Sequence, residues 1–293
     1  MIRYPISPDE LRKRIEAHKP NWLKRAQEKT KAIATAGDNV SFPGIWSDIK
    51  QVYMTLQHSK CAYCERRLEG AIEHDVEHFR PKSEVSHWEP SAFLQREGVQ
   101  LSQNQDRSSE PGYRSLAYHE QNYMVACKSC NSVSKRSFFP IAGTRNHIAE
   151  SPADATDEQP YLIFPIGDDG DDPEQLIGFE GPVPVTAAND RFGKLRAMVT
   201  IELLKLDDVL ERKELLQGRA EAILNFYSQL KLSESSDPAD AARGRTAVQR
   251  GLAESSQFTS CLRSFYRTYQ EDPDAAESIV DDVLYLLSKS SPI

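Results

Sequence analysis

Apolar residues recur along this chain with two different rhythms, and the change of rhythm divides it. At the start, Ser7-Pro8-Asp9-Glu10 supplies an N-cap, a proline at the first helical position and a Glu three residues after the cap, so a helix is expected to begin there and to break at Pro20. Trp22 to Ala36 resumes the helical pattern as far as Gly37, where Asp38-Asn39 and Pro43-Gly44 mark a turn. Ile45, Ile49, Val52, Tyr53 and Leu56 then recur at helical spacing, predicting a core-facing helix from about Ile45 to His58. From Cys61 to Ile141 the rhythm gives way to short segments punctuated by Gly, Pro and paired cysteines, with residues 101–113 reading as a polar loop. Helical patterning returns from about Asp190 to Leu232, with an apolar stripe of Leu195, Met198, Ile201, Leu204, Leu206, Val209 and Leu210. A break at SESSDPADAARG and two further helices, about 240–270 and 274–288, complete the pattern. Three regions are therefore expected: N-terminal helical (1–45), a central core (46–150), and an acidic loop followed by C-terminal helices (151–293).

Composition narrows the class. With 293 residues, 39% of them apolar and 27% charged, the chain has length enough for a substantial buried core. No apolar run approaches the 18 or so residues of a membrane span, and MIRYPISPDE lacks the apolar stretch of a signal peptide. A cytoplasmic chain without a membrane partner is therefore expected. In a reducing compartment the five cysteines read as thiols or metal ligands rather than disulfides. The net charge of −8 argues against a nucleic-acid partner until its distribution is considered. Residues 150–180 hold ten acidic and no basic side chains, whereas residues 121–149 hold Lys128, Lys135, Arg136 and Arg145 and no acid.

Four of the cysteines form two CxxC pairs, Cys61/Cys64 and Cys127/Cys130, and four thiolates satisfy the tetrahedral preference of a structural zinc ion. The 62 residues between the pairs require the intervening chain to fold back on itself. Cys261, in the helical segment SCLRSFY, reads as a buried apolar residue. His119-Glu120 fails as an HExxH zinc motif because position 123 is Tyr.

Around the cysteines, Cys61–Glu65 (CAYCE), Glu77–Ser83 (EHFRPKS), Trp88, Tyr113–Tyr118, Asn122, the run Cys127–Asn131 with Lys135, and Phe139-Pro140 occur in one order. This set resembles the HNH endonuclease superfamily, with Asn131 standing where many members have His, and within it the branch of Septu-type and retron-associated phage-defence systems. The resemblance implies an α+β chain in which a small ββα-metal core with a four-cysteine zinc knuckle is embedded in a mostly α-helical body. It implies hydrolysis of DNA phosphodiesters beside an ATPase subunit, with His78 as general base, Asn122 holding the loop, and Glu77 and Asn131 as ligands of a catalytic Mg²⁺ or Mn²⁺. A positioned His can take the proton of the attacking water, and a sparse set of hard oxygen ligands leaves room for water and phosphate. Strand alternation places Glu77 and His78 on opposite faces unless the chain bends there, so Asp75 remains an alternative ligand. Lys135, Arg136, Arg80 and Lys82 are candidate nucleic-acid contacts. A ββα-metal site attacks a phosphate without reading the sugar, which leaves RNA open as substrate. The alternative function is a zinc-stabilised nucleic-acid-binding or adaptor module without intrinsic cleavage.

Overall fold

Ser7 accepts a hydrogen bond from the Glu10 amide (3.2 Å) and Pro8 opens helix α1 (Pro8–His18), as the capping pattern requires. The computed structural model describes residues 1–35, 41–70, 72–103, 108–168 and 170–289. The turn expected at Gly37 to Asn39 and the middle of the polar loop lie outside them. Helix α2 (Trp22–Thr35) buries Trp22, Ala26 and Ile33, and the Trp22 indole N–H donates to the Ile45 carbonyl (2.8 Å). The single helix expected from Ile45 to His58 is a 3₁₀ turn (Ile45–Ile49) running into α3 (Lys50–Leu56), ended by positive φ at His58 and Ser59.

The centre is built on two antiparallel strands, β1 (His74–His78) and a strand at Tyr123–Cys127, paired His74 to Cys127 through His78 to Tyr123. Between them come β2 (Glu84–Ser86), the short helix α4 (Ala92–Arg96) and β3 (Ser109–Pro111), which makes Tyr123–Cys127 the strand β4. Strands β2 and β3 pair with each other, so the end of the expected polar loop is a strand. The free edge of β4 is satisfied by the buried Gln57 side chain, which donates to the Val125 carbonyl and accepts from the Val125 amide, both at 2.8 Å. A seven-residue π-helix, Ser129–Lys135, follows β4, with Arg136 N–H donating to the Asn131 carbonyl (2.7 Å).

The acidic segment is a strap, and three of its carboxylates are paired with arginines distant in sequence. Glu158 is fully buried and ion-paired with Arg80 (2.9 Å), Asp171 holds the Arg196 guanidinium (2.5 Å) and Glu174 holds Arg263 (2.6 Å). Tyr4 N–H donates to the Pro165 carbonyl (2.7 Å), tying the N-terminus to the same strap.

Beyond it lie α5 (Pro173–Leu176), the hairpin β5 (Ile177–Glu180) and β6 (Val183–Thr186), and helices α6 (Arg191–Leu203), α7 (Lys213–Ser233), α8 (Pro238–Leu252), α9 (Thr259–Glu271) and α10 (Pro273–Ser288). The stretch expected to be helical from Asp190 to Leu232 is broken between α6 and α7. Lys205 takes positive φ, and the Asp208 carboxylate accepts from the Leu210 and Glu211 amides (2.9 and 2.8 Å). Val209 and Leu210 fall in that break and are exposed rather than part of the apolar stripe. The helix expected over 240–270 is likewise two, α8 and α9, separated where Phe258 adopts φ +57°. Apolar side chains from residue 1 to residue 283 join one main core cluster. Among the described residues no helix is long and apolar enough to cross a membrane.

Candidate metal and phosphodiester site

The first CxxC lies in a tight knuckle after α3, closed where Cys61 N–H donates to the Arg66 carbonyl (2.9 Å) and Ala62 N–H donates to the Val125 carbonyl (3.0 Å). The second begins at the last residue of β4. Together they place the four Sγ atoms within 4.8 Å of one another, all buried, with Cys64 and Cys127 Sγ 3.8 Å apart. A tetrahedral zinc with bonds of about 2.3 Å sets its sulfurs about 3.8 Å apart, so the cluster has the size of a four-thiolate zinc site. The fold-back demanded by the 62-residue spacing is the β1–β4 pairing. Hydrogen bonds from the neighbouring thiols push the Cys64 thiol well below its ordinary range, while burial holds Cys61 well above it. Arg212, at the start of α7, donates to Cys130 Sγ (3.4 Å) and to the Leu204 carbonyl (2.8 Å), setting a cation against what would be a dianionic metal centre.

A second site opens at the end of β1. A cleft of about 320 Å³ is lined by Glu77, His78, Lys82, Glu84, Asn131 and Arg136, among others. The π-helix brings Asn131 there. Glu77 and His78, consecutive residues, both reach the cleft because the strand ends at His78. His78 Nε2 lies 3.1 Å from the Ala117 carbonyl. A carbonyl can only accept, so Nε2 carries the proton and Nδ1 keeps its lone pair. Burial, followed by the nearby Lys82 charge, lowers the His78 pKa well below the usual imidazole value, so the ring is neutral at pH 7. Its faces and edges are fixed by Trp46 (4.7 Å between centroids) and Tyr123 (5.0 Å), both near-perpendicular.

Asn122 clamps the turn after His78. Its Oδ1 accepts from the Arg80 amide (2.8 Å), and its Nδ2 donates to the carbonyls of Arg80 (3.0 Å) and Leu116 (3.2 Å). Glu77 is buried, which pushes its carboxyl pKa up against the opposing pull of the Lys135 charge. The Lys135 ammonium lies 2.5 Å from Glu77 Oε1, yet that oxygen has no well-aligned hydrogen bond among the described residues. Glu77 and Asn131 both line the cleft, and a carboxylate together with a side-chain amide is a donor set that fits a hard divalent cation.

The Septu protein PtuB of Bacillus mycoides (strain KBAB4) is 30% identical over 240 residues, covering 77% of this chain and 69% of that protein. The chain belongs to the Septu PtuB family. No family model matches it, and no solved structure matches it.

The remaining sequence candidates separate in space. Asp75 is ion-paired with Lys128 on the surface and is absent from the cleft lining, so the structure does not bring it to His78. Arg80 is buried against Phe79, Tyr113 and Phe139 and committed to Glu158, which corrects its reading as a nucleic-acid contact. Lys135 is fully buried, donating to the His78 carbonyl (3.1 Å) and paired with Glu77, so it braces the site instead of reaching outward. Lys82 and Arg136 are the two predicted cations that line the cleft. The sequence reading missed Trp46, Glu84 and Ser137 at this site. A spacing argument has no handle on Trp46, which reaches His78 from a different element.

Proposed function

We propose that this chain is a metal-dependent HNH-type endonuclease that hydrolyses DNA phosphodiester bonds as the nuclease of an anti-phage defence system, acting with an ATPase partner. The observation that carries the reading is the convergence of Glu77, His78 and Asn131 on one cleft edged by Lys82 and Arg136. An antiparallel strand pair followed by a helix, the arrangement of β1, β4 and Ser129–Lys135, supports a ββα-metal core. Membership of the Septu family supports the defence role, and the ATPase partner rests on the resemblance described above.

Glu77 and Asn131 would hold the divalent ion, which when bound supplies charge stabilisation at the phosphate and leaving oxygen. His78 Nδ1 takes a proton from a water whose oxygen adds to phosphorus. One P–O ester bond breaks, and the departing oxygen takes up a proton from solvent. Lys82 and Arg136 neutralise the phosphate oxygens, while Asn122 and the Ala117 carbonyl keep the imidazole oriented. A general base so placed contributes about 10²–10⁴-fold.

The buried Lys135–Glu77 pair favours a second reading, in which the carboxylate is a structural anion and the chain is an adaptor without intrinsic cleavage. Phage plating on cells carrying the intact locus separates the two. The nuclease reading predicts that His78→Ala abolishes protection while leaving protein level and partner co-purification unchanged. Full protection by His78→Ala, together with loss of protection by Cys64→Ser, would establish the adaptor.

A further inference from the structure

Trp46 belongs to the 3₁₀ turn ahead of α3, far along the chain from β1 and the Pro81–Ser83 loop, yet it touches two side chains of the cleft. Its ring meets the His78 imidazole edge-on, with centroids 4.7 Å apart and planes at 87°. The Lys82 ammonium stands 4.8 Å from the indole centroid, within cation–π range. Among the described residues no carboxylate, carbonyl or hydroxyl hydrogen-bonds that ammonium; the indole is its ring contact, and the Glu77 carboxylate acts on it through its charge. The ring is itself held. Tyr118 packs behind it at 5.8 Å and donates its hydroxyl to the Pro43 carbonyl (3.1 Å), while the turn is anchored by buried Ile45 and Ile49 and by the Trp22 indole on the Ile45 carbonyl. A rigid ring touching both the base and a cation of one cleft sets the distance between them.

We propose that Trp46 is a positioning residue of the cleft: its indole fixes the plane of the His78 ring and holds the Lys82 ammonium where a nucleic-acid backbone phosphate meets it. The inference rests on the nuclease reading above. It makes Lys82 a phosphate contact whose contribution depends on a tryptophan that touches no substrate.

The test measures binding of a duplex oligonucleotide between about 50 and 200 mM salt, with kcat and KM for its cleavage in Mg²⁺, for wild type, Trp46→Leu, Lys82→Met and the double variant. Each neutralised phosphate contributes roughly 0.9 to the slope of log affinity against log salt. Lys82→Met should reduce that slope by about one contact, Trp46→Leu by the same amount, and the double variant by no more than either. A role confined to folding would not reproduce the salt signature of a missing cation. Trp46→Leu should also lower kcat by about tenfold or more beyond Lys82→Met, because it releases the His78 ring as well. Trp46→Phe, which keeps an aromatic ring and the packing against Tyr118, is the second variant, expected to retain kcat within about threefold with an intermediate salt slope. Wild-type binding and cleavage with an unchanged slope and kcat in Trp46→Leu, or additive losses in the double variant, overturn the inference and leave the nuclease reading standing. Wild-type protein that neither binds nor cuts the duplex overturns both.

Discussion

Replacing Glu158 by leucine leaves the Arg80 guanidinium charged inside a box of Phe79, Tyr113 and Phe139, two residues past the proposed base. Glu158 is fully buried and accepts three hydrogen bonds, from Arg80 Nε (2.9 Å), the Tyr113 hydroxyl (2.5 Å) and the Asn146 amide (3.0 Å). Removing one partner of a buried ion pair costs about 3–5 kcal/mol. An orphaned buried donor such as the Tyr113 hydroxyl adds about 1–3 kcal/mol, since Arg145 donates to that oxygen (2.8 Å) and, having no acceptor, cannot take up its proton. The expected total for Glu158→Leu is therefore about 4–8 kcal/mol, or a fall in Tm of roughly 8–24 °C at about 2–3 °C per kcal/mol for a chain of this size. Arg80→Met alone should cost about 3 kcal/mol, because Glu158 keeps two donors. In the double variant both charges are gone and an apolar pair fills the space, so the coupling energy should reach about 2 kcal/mol or more. Urea unfolding followed by circular dichroism on the four proteins gives that coupling. A value below about 0.5 kcal/mol would refute the claim that this pair binds the acidic strap to the turn after His78.

Three further expectations follow from the metal cluster and the strap. Purified protein should contain one zinc per chain by elemental analysis, and chelation or Cys64→Ser should cause cooperative loss of structure, since a structural zinc supplies roughly 10–16 kcal/mol in small zinc peptides; zinc-free protein with an unchanged melt would contradict the assignment. Arg212→Ala removes the cation on Cys130 Sγ and should weaken zinc retention about 10–100-fold in competition with a chromophoric chelator, whereas unchanged retention would make Arg212 a purely structural ligand of the Leu204 carbonyl. Gly143→Ala should destabilise by more than about 2 kcal/mol in urea unfolding, because a Cβ there overlaps the Asp157 carbonyl oxygen, a backbone atom with little freedom to move; a neutral substitution would show that the strap can shift.

How much of this was legible from residues alone depends on the range of the interaction. The cap at Ser7 and the helical rhythm of Trp22–Thr35 are local signals, and the structure follows them. The two CxxC pairs were legible because four thiols have few other uses in one chain, and they cluster as expected. The breaks at Lys205 and Phe258 were not legible, since an apolar stripe continues in sequence while the backbone turns through positive φ to satisfy tertiary contacts. Charge counting stops short in the acidic window as well. Composition records ten carboxylates but not that Glu158, Asp171 and Glu174 are each matched by a distant arginine. The roles of Arg80 and Lys135 were misassigned because a basic residue beside a motif looks alike whether it faces solvent or is buried. Trp46 escaped because its meaning lies in contacts with His78 and Lys82, 32 and 36 positions away in the chain.

The central claim is that His78 is the base of a phosphodiester-cleaving site, and the most direct test is cleavage of supercoiled plasmid by wild type and His78→Ala in parallel. Both proteins are first shown to be equally folded and zinc-loaded, then assayed with Mg²⁺ or Mn²⁺, with and without the proposed ATPase partner. The account predicts nicked or linear product from the wild type and a rate lower by at least about 100-fold for His78→Ala. Equal cutting by the two proteins, or no cutting by the wild type under any of these conditions, would contradict it.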